Sequence, residues 1–191
     1  MSHFNQQQFC ERTKLRYPSF FKDQKKVLDI GSLDINGSNK MFFDNCDYLG
    51  IDLGKGINVD FICIGHKFEG PDNYYDTIIT TEALEHDMYY EKTIKNVMRM
   101  LKPGGLFLFT CATTGRPEHG TIRTAPSDSP FLQFVSAEWG DYYKNLTKED
   151  IIAIQGFTYV FPDGIFEIGN ESLDLYFAGI KGGNNYLKYI I

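Results

Sequence analysis

The strongest constraint on the fold is a pair of short, largely apolar runs, Val27-Leu28-Asp29-Ile30 and Asp47-Tyr48-Leu49-Gly50-Ile51-Asp52. The first is entered from Lys25-Lys26 and left through Gly31. Runs of this kind suit parallel strands covered on both faces by other elements. Between them, Asn36-Gly37-Ser38 offers a turn and a helix cap ahead of Lys40-Met41-Phe42-Phe43. A βαβ unit is therefore predicted, and with it an α/β protein.

The rest of the chain extends the pattern. Phe4 to Arg16 has helical composition and stops before Tyr17-Pro18. Only Leu53 to Asn58 separates the second strand from a third predicted at Val59 to Cys63, which is too short for an ordinary crossover helix. Tyr75 to Thr80 is predicted as the fourth strand, and Tyr89 to Leu101 as a helix with Ile94, Val97, Met98 and Leu101 on one face. Lys102-Pro103-Gly104-Gly105 is expected to end that helix before a fifth strand at Leu106 to Thr110. Ala112 to Leu146 has little periodicity and reads as a loop covering the site. Thr147 to Asp150 resembles a capping box leading into Ile151 to Gln155. Strands near Phe157 to Glu167 and Leu173 to Lys181 would close the chain as a hairpin. Residues 1–191 are read as one domain, with 1–24 a helical extension and 112–146 an active-site lid.

Charge and cysteine usage narrow the function. A net charge of -6 and a pI near 5.2 argue against gripping long nucleic acid through its phosphates. The cluster Lys14, Arg16, Lys22, Lys25 and Lys26 is explained by a solvated helix face. Cys10, Cys46, Cys63 and Cys111 contain no Cys-x-x-Cys pair, so no metal site or disulfide framework is expected and a reducing cytoplasm is. Nothing in the sequence resembles a secretory leader or a membrane span.

Two anchors point to a bound nucleoside. Asp29-Ile30-Gly31 places backbone amides at the carboxyl edge of a parallel sheet, and Asp52, twenty-one positions beyond Gly31, can accept hydrogen bonds from ribose hydroxyls. A dinucleotide fingerprint needs G-x-G-x-x-G, but Leu33 stands where the second glycine would be, so a pyrophosphate fits poorly. S-adenosyl-L-methionine has no phosphate, and Ser32, Asp34 and Asn36 offer it polar partners.

Val27 to Ser38, Gly50-Ile51-Asp52, Tyr75 to His86 and Leu101 to Leu106, in that order, resemble the class I S-adenosylmethionine-dependent methyltransferases, and most of all the small bacterial methyltransferase type 11 group. The resemblance implies a doubly wound, Rossmann-like, seven-stranded sheet, mostly parallel with an antiparallel last strand. It implies contacts from Asp29, Gly31 and Ser32 to the methionine moiety, from Asp52 to the ribose, and from Thr81 and Glu82 near the methyl group. Of the family's glycine-rich loop this chain keeps only the first glycine, followed by Leu33. Where relatives often carry an acidic residue for the adenine amine, it has Cys63-Ile64-Gly65-His66. Adenine then falls to backbone about Gly65, to His66, or to packing on Leu53 and Ile64.

Methyl transfer from a sulfonium is an in-line displacement, so positioning does much of the work and a base is needed only for the acceptor's proton. His86, Glu82 and His119 are the catalytic candidates, with Glu85 beside them. Glu82, Glu85 and His86 would equally suit the start of the following helix. Arg116, His119 and Arg123 on the lid are the substrate-binding candidates, pairing with a carboxylate or phosphate, although surface pairing explains the arginines nearly as well. Thr80-Thr81-Glu82 stands where base-methylating enzymes carry an Asp-Pro-Pro-Tyr type motif. A small hydroxyl, carboxyl or amine acceptor is expected rather than nucleic acid or a membrane. A catalytically inactive S-adenosylmethionine-binding protein is the alternative. The missing crossover helix leaves part of one sheet face for dimerisation.

Overall fold

In the computed structural model, residues 3–183 are described, so residues 1–2 and 184–191 of the expected domain lie outside them. The chain begins with helix α1 (Phe4–Arg16). His3 caps it: the imidazole accepts from the Gln6 amide, and the Gln6 side chain accepts in turn from the His3 backbone. Gln6, Phe9, Cys10 and Thr13 recur at helical spacing and form its buried stripe.

Strands β1 (Lys26–Ile30) and β2 (Asp47–Asp52) follow, joined through a short 3-10 turn whose Lys40 amide donates to the Ser38 hydroxyl. Next come β3 (Phe61–Ile62), β4 (Tyr75–Thr81), helix α2 (Tyr90–Met100) and β5 (Leu101–Ala112). Four short helices, α3 (Leu132–Val135), α4 (Ala137–Gly140), α5 (Lys148–Ile152) and α6 (Phe157–Val160), precede β6 (Ile165–Gly169) and β7 (Asp174–Ile180).

The seven strands lie in the order β3-β2-β1-β4-β5-β7-β6. The pairs among β1 to β5 are parallel, and β7 runs antiparallel to both of its neighbours. This is the doubly wound sheet expected from the motifs. Successive residues of its central strands enter two cores. Val27, Ile79, Leu106 and Leu108 pack under α1 with Phe9 and Cys10. Leu28, Ile78, Phe107 and Phe109 face α2, α5 and α6 on the other side. Burial on both faces is why these strands lack polar alternation.

Four local expectations are corrected. Lys102 to Gly105 does not separate helix from strand; it is already part of β5, where Gly104 at φ +77° and a register shift against β4 accommodate the segment. There the Gly104 amide donates to the Lys181 carbonyl, and the Lys181 amide to that of Gly105. β3 is shorter than Val59 to Cys63, because Asp60 turns its carboxylate back to the Gly50 amide, 2.8 Å away. Phe157 to Val160 is helical, since Phe157, Val160 and Phe161 bury together at i, i+3 and i+4 spacing and Gly156 starts the turn at φ +87°. The stretch from Ala112 to Leu146 carries α3 and α4 rather than continuous loop, and its ends are tied by the Leu146 amide to the Ala112 carbonyl and the Thr113 hydroxyl to the Leu146 carbonyl.

Candidate functional site

A cleft, open on one side, lies over the carboxyl ends of β1, β2 and β4. In open α/β sheets this edge is where ligands bind, because the connections diverge there and leave a crevice. Of the residues singled out in the sequence, Asp29, Gly31, Ser32, Leu33, Asp52, Leu53, Ile64, Gly65, Thr81, Glu82 and His86 line it. Asn36, His66, Arg116, His119 and Arg123 do not. His66 rests against the Tyr89 ring, with 4.9 Å between centroids. Arg116 pairs with Asp174 at 3.0 Å, and Arg123 with Glu118 and Asp141 at 3.0 and 3.1 Å, so carboxylates of the protein itself occupy both guanidinium groups.

The β1 exit is tightly built. Gly31 adopts φ +81°, and a Cβ there would lie 2.6 Å from that of Ala83, so only glycine brings the turn this close to the β4 exit. The Gly31 and Ser32 amides both donate to the Ile51 carbonyl, and the Leu33 amide to Asp52 Oδ2 at 3.0 Å. The protein itself thus satisfies these three amides. Asp52 Oδ1 accepts from the Leu53 amide at 2.6 Å. Each carboxylate oxygen retains a second lone pair for a ligand hydroxyl. The Ser32 hydroxyl, also at the cleft, is buried without a partner. Such an orphan suits a site completed by a polar ligand.

Asp29 is buried beneath the cleft, accepting from Asn39 Nδ2 at 3.1 Å and from the Tyr48 hydroxyl. Burial pushes its carboxyl up to about 7 against the opposing effect of those two bonds. Asn39 also donates to the Thr81 hydroxyl, linking the β1 and β4 exits. Sequence reading missed Asn39; Phe131 and Trp139 bring the lid to the cleft. A Cβ on Gly54 would fall 2.4 Å from the Phe131 ring, so the lid lies directly on the loop after β2. The clustered aromatics of the lid were the available signal.

Glu82 and His3 form an unforeseen pair. Glu82, buried at the β4 exit with φ +52°, accepts from the Thr110 hydroxyl at 2.8 Å. His3 Nε2 reaches it at 3.6 Å and Asp174 at 2.9 Å. Burial alone would raise the Glu82 carboxyl, but His3 and Thr110 hold it down at about 2. Burial alone would lower the His3 imidazole, but the two carboxylates beside it raise it from 6.5 to about 9. The pair's contribution to stability is therefore complete below the unfolded imidazole value of 6.5 and is lost as pH rises through about 9; the Glu82 part is lost as pH falls from 4.5 toward 2. His3→Gln is expected to cost about 1–2 kcal/mol more at pH 6 than above pH 9, less than a fully buried pair because a quarter of the imidazole meets water, the cost that remains above pH 9 being that of the lost cap. Urea unfolding of both proteins at pH 6 and 9.5 checks this; an equal cost at the two values would refute it.

Next to Glu82, Glu85 and His86 are buried; the Glu85 and Ala112 backbone amides face the Glu85 carboxylate, and neither His86 ring nitrogen is hydrogen-bonded among the described residues. Burial, aided by the Glu82 charge, pushes the Glu85 carboxyl up to about 8, and burial with His119 nearby brings His86 down to about 3. The His86 imidazole is thus neutral near pH 7. His119 lies edge-on to it, with 5.1 Å between ring centroids.

Residues 1–160 match the family model described as a methyltransferase domain. The chain belongs to that family. It is an S-adenosylmethionine-dependent methyltransferase of class I, as its ordered motifs and sheet order led one to expect. It is 24% identical over 182 residues to the ubiquinone biosynthesis O-methyltransferase of Aliivibrio fischeri, covering 86% of this chain and 76% of that one. Among solved structures it resembles the phosphoethanolamine N-methyltransferase 2 of Haemonchus contortus, crystallised with S-adenosylhomocysteine (TM-score 0.59, 17% identity). The match covers 90% of this chain but only 53% of that one, so this methyltransferase spans about half its length. It also resembles the 1,6-didemethyltoxoflavin-N1-methyltransferase of Burkholderia thailandensis (TM-score 0.60, 12% identity), with 92% of this chain and 77% of that one covered.

Proposed function

We propose that this methyltransferase holds S-adenosylmethionine in the cleft above β1, β2 and β4 and methylates a small-molecule acceptor on a hydroxyl, carboxyl or amine group. The observation that carries the reading is the Asp52 carboxylate at the cleft, fixed by the Leu33 and Leu53 amides with lone pairs to spare. The bound cofactor supplies an electrophilic methyl group on a sulfonium. Asp52 accepts hydrogen bonds from the ribose hydroxyls. Leu53, Ile64 and Gly65 pack about the adenine, and Gly31, Ser32 and Thr81 surround the methionine portion, with Asp29 beneath them. Phe131 and Trp139 of the lid exclude water, which favours a displacement governed by approach geometry.

His86, neutral and at the cleft, with Glu82 and His119 beside it, is placed to receive the acceptor's proton. Relatives named for O- and N-methylation support a hydroxyl or amine acceptor. Acidic net charge supports a small molecule over nucleic acid. Four free thiols support a cytoplasmic setting, and no helix among the described residues is long and apolar enough to cross a membrane. Exposed Ile57, Phe61 and Ile62 at the β3 edge support a homodimer through that edge.

Incubating the protein with methyl-labelled S-adenosylmethionine and a pool of small metabolites tests the reading. Labelled product and S-adenosylhomocysteine are expected to accumulate together. Tight cofactor binding without turnover across the pool would instead favour the inactive binding protein.

A further inference from the structure

We propose that Glu85, His86 and His119 form a site for a divalent first-row transition cation beside the methyl-transfer cleft. One ligand atom from each residue lies within 4.8 Å of the other two. Glu85 is wholly buried with the Glu85 and Ala112 backbone amides facing its carboxylate, and His86 is 4% exposed with neither ring nitrogen hydrogen-bonded among the described residues. Under-satisfied polar atoms are costly to bury, and a cation that takes one lone pair from the carboxylate and one from the imidazole lowers that cost.

Details around the cluster suit a metal. His119 Nδ1 lies 3.1 Å from the Pro117 carbonyl, an oxygen that can only accept, so Nδ1 carries the proton and Nε2 is left to ligate. Histidine ligands are commonly oriented by a carbonyl in this way. Gly120, at φ +68°, brings the lid backbone so near that a Cβ would lie 2.7 Å from His86 Cε1. Tyr143 closes the cluster, its ring 5.1 Å from that of His119 and 5.5 Å from that of His86. Ligands about 2.1 Å from one ion stand about 3.4 Å apart in a tetrahedron. Because the lid carries His119, a small shift of the lid closes the remaining gap.

Two imidazoles and one carboxylate favour zinc, manganese, iron or cobalt over magnesium and calcium, which prefer all-oxygen ligands. The neighbouring group His3, Glu82 and Asp174 is a weaker candidate, because Arg116 and Thr110 already compensate its carboxylates. His86 belongs to both the cluster and the cleft, so a cation here would take the imidazole lone pair in place of the acceptor's proton and would itself meet the acceptor oxygen as a Lewis acid. That consequence rests on the methyltransferase reading, whereas cation binding does not.

The test titrates chelator-treated full-length protein with zinc chloride by calorimetry and with cobalt chloride by visible absorption, measuring S-adenosylhomocysteine affinity on the same samples. Saturable one-to-one binding and cobalt ligand-field bands are expected. His119→Gln, a change on the partly exposed lid, should weaken zinc at least about tenfold and leave S-adenosylhomocysteine affinity and near-ultraviolet dichroism unchanged. Glu85→Gln should do the same to zinc, and His3→Gln should not. Absence of saturable binding, or equal zinc affinity in wild type and His119→Gln, overturns the metal site. Loss of S-adenosylhomocysteine binding by the wild type would instead overturn the methyltransferase reading.

Discussion

Asp52→Ala is expected to weaken S-adenosylhomocysteine binding by about 100- to 1000-fold in a calorimetric titration. Hydrogen bonds to a charged acceptor contribute about 1.5–3 kcal/mol each, so losing two at the lower end of that range removes about 3 kcal/mol, a little over 100-fold. The substitution has a second effect, since it also strips the Leu33 and Leu53 amides of their acceptor and loosens the turn after β1. Asp52→Asn, which keeps one carbonyl oxygen, should fall between. If alanine costs less than about fivefold, Asp52 does not hold the ribose.

A stability effect of similar size is expected far from the cleft. Phe177 on β7 is fully buried, stacked on Phe109 at 5.3 Å and 22°, with the rings of Phe157 and Phe166 5.1 and 4.7 Å away. Gly164 and Gly179 make room for it, as a Cβ on either would come within 2.7 Å of its ring. Truncating such a side chain costs the transfer of its atoms and leaves a cavity, about 3–5 kcal/mol in all. At about 2–4 °C per kcal/mol for a chain of this size, Phe177→Ala should melt about 10 °C lower. Phe177→Leu should lose less than half as much. A shift under about 3 °C for alanine would mean that this aromatic core does not anchor the last strands.

Much of this architecture was legible from patterning. α1 and β2 begin and end where composition placed them, because Tyr17-Pro18 and the polar residues around Asp47 to Asp52 punctuate the chain locally. The Thr147 and Asp150 capping box forms as read, with both reciprocal bonds present. Failures occurred where tertiary packing outweighed local preference. Phe157 to Val160 has the composition of a strand but folds as a helix against the aromatic core, and Lys102 to Gly105 pairs as strand because Lys181 supplies its partners. At the site, Asp52 was readable because a fixed spacing after the first strand carries it to the cleft. His3 was not, since nothing in a sequence shows that the cap of the first helix will reach Glu82 and Asp174.

That reach ties the amino-terminal helix to the cleft energetically. Glu82 borders the cleft and is held by the residue that caps α1, so any ligand that prefers the charged, ordered Glu82 must also favour the docked helix. By reciprocity a docked helix favours the ligand to the same degree, and the two sites, opposite in the chain's order, respond as one thermodynamic unit.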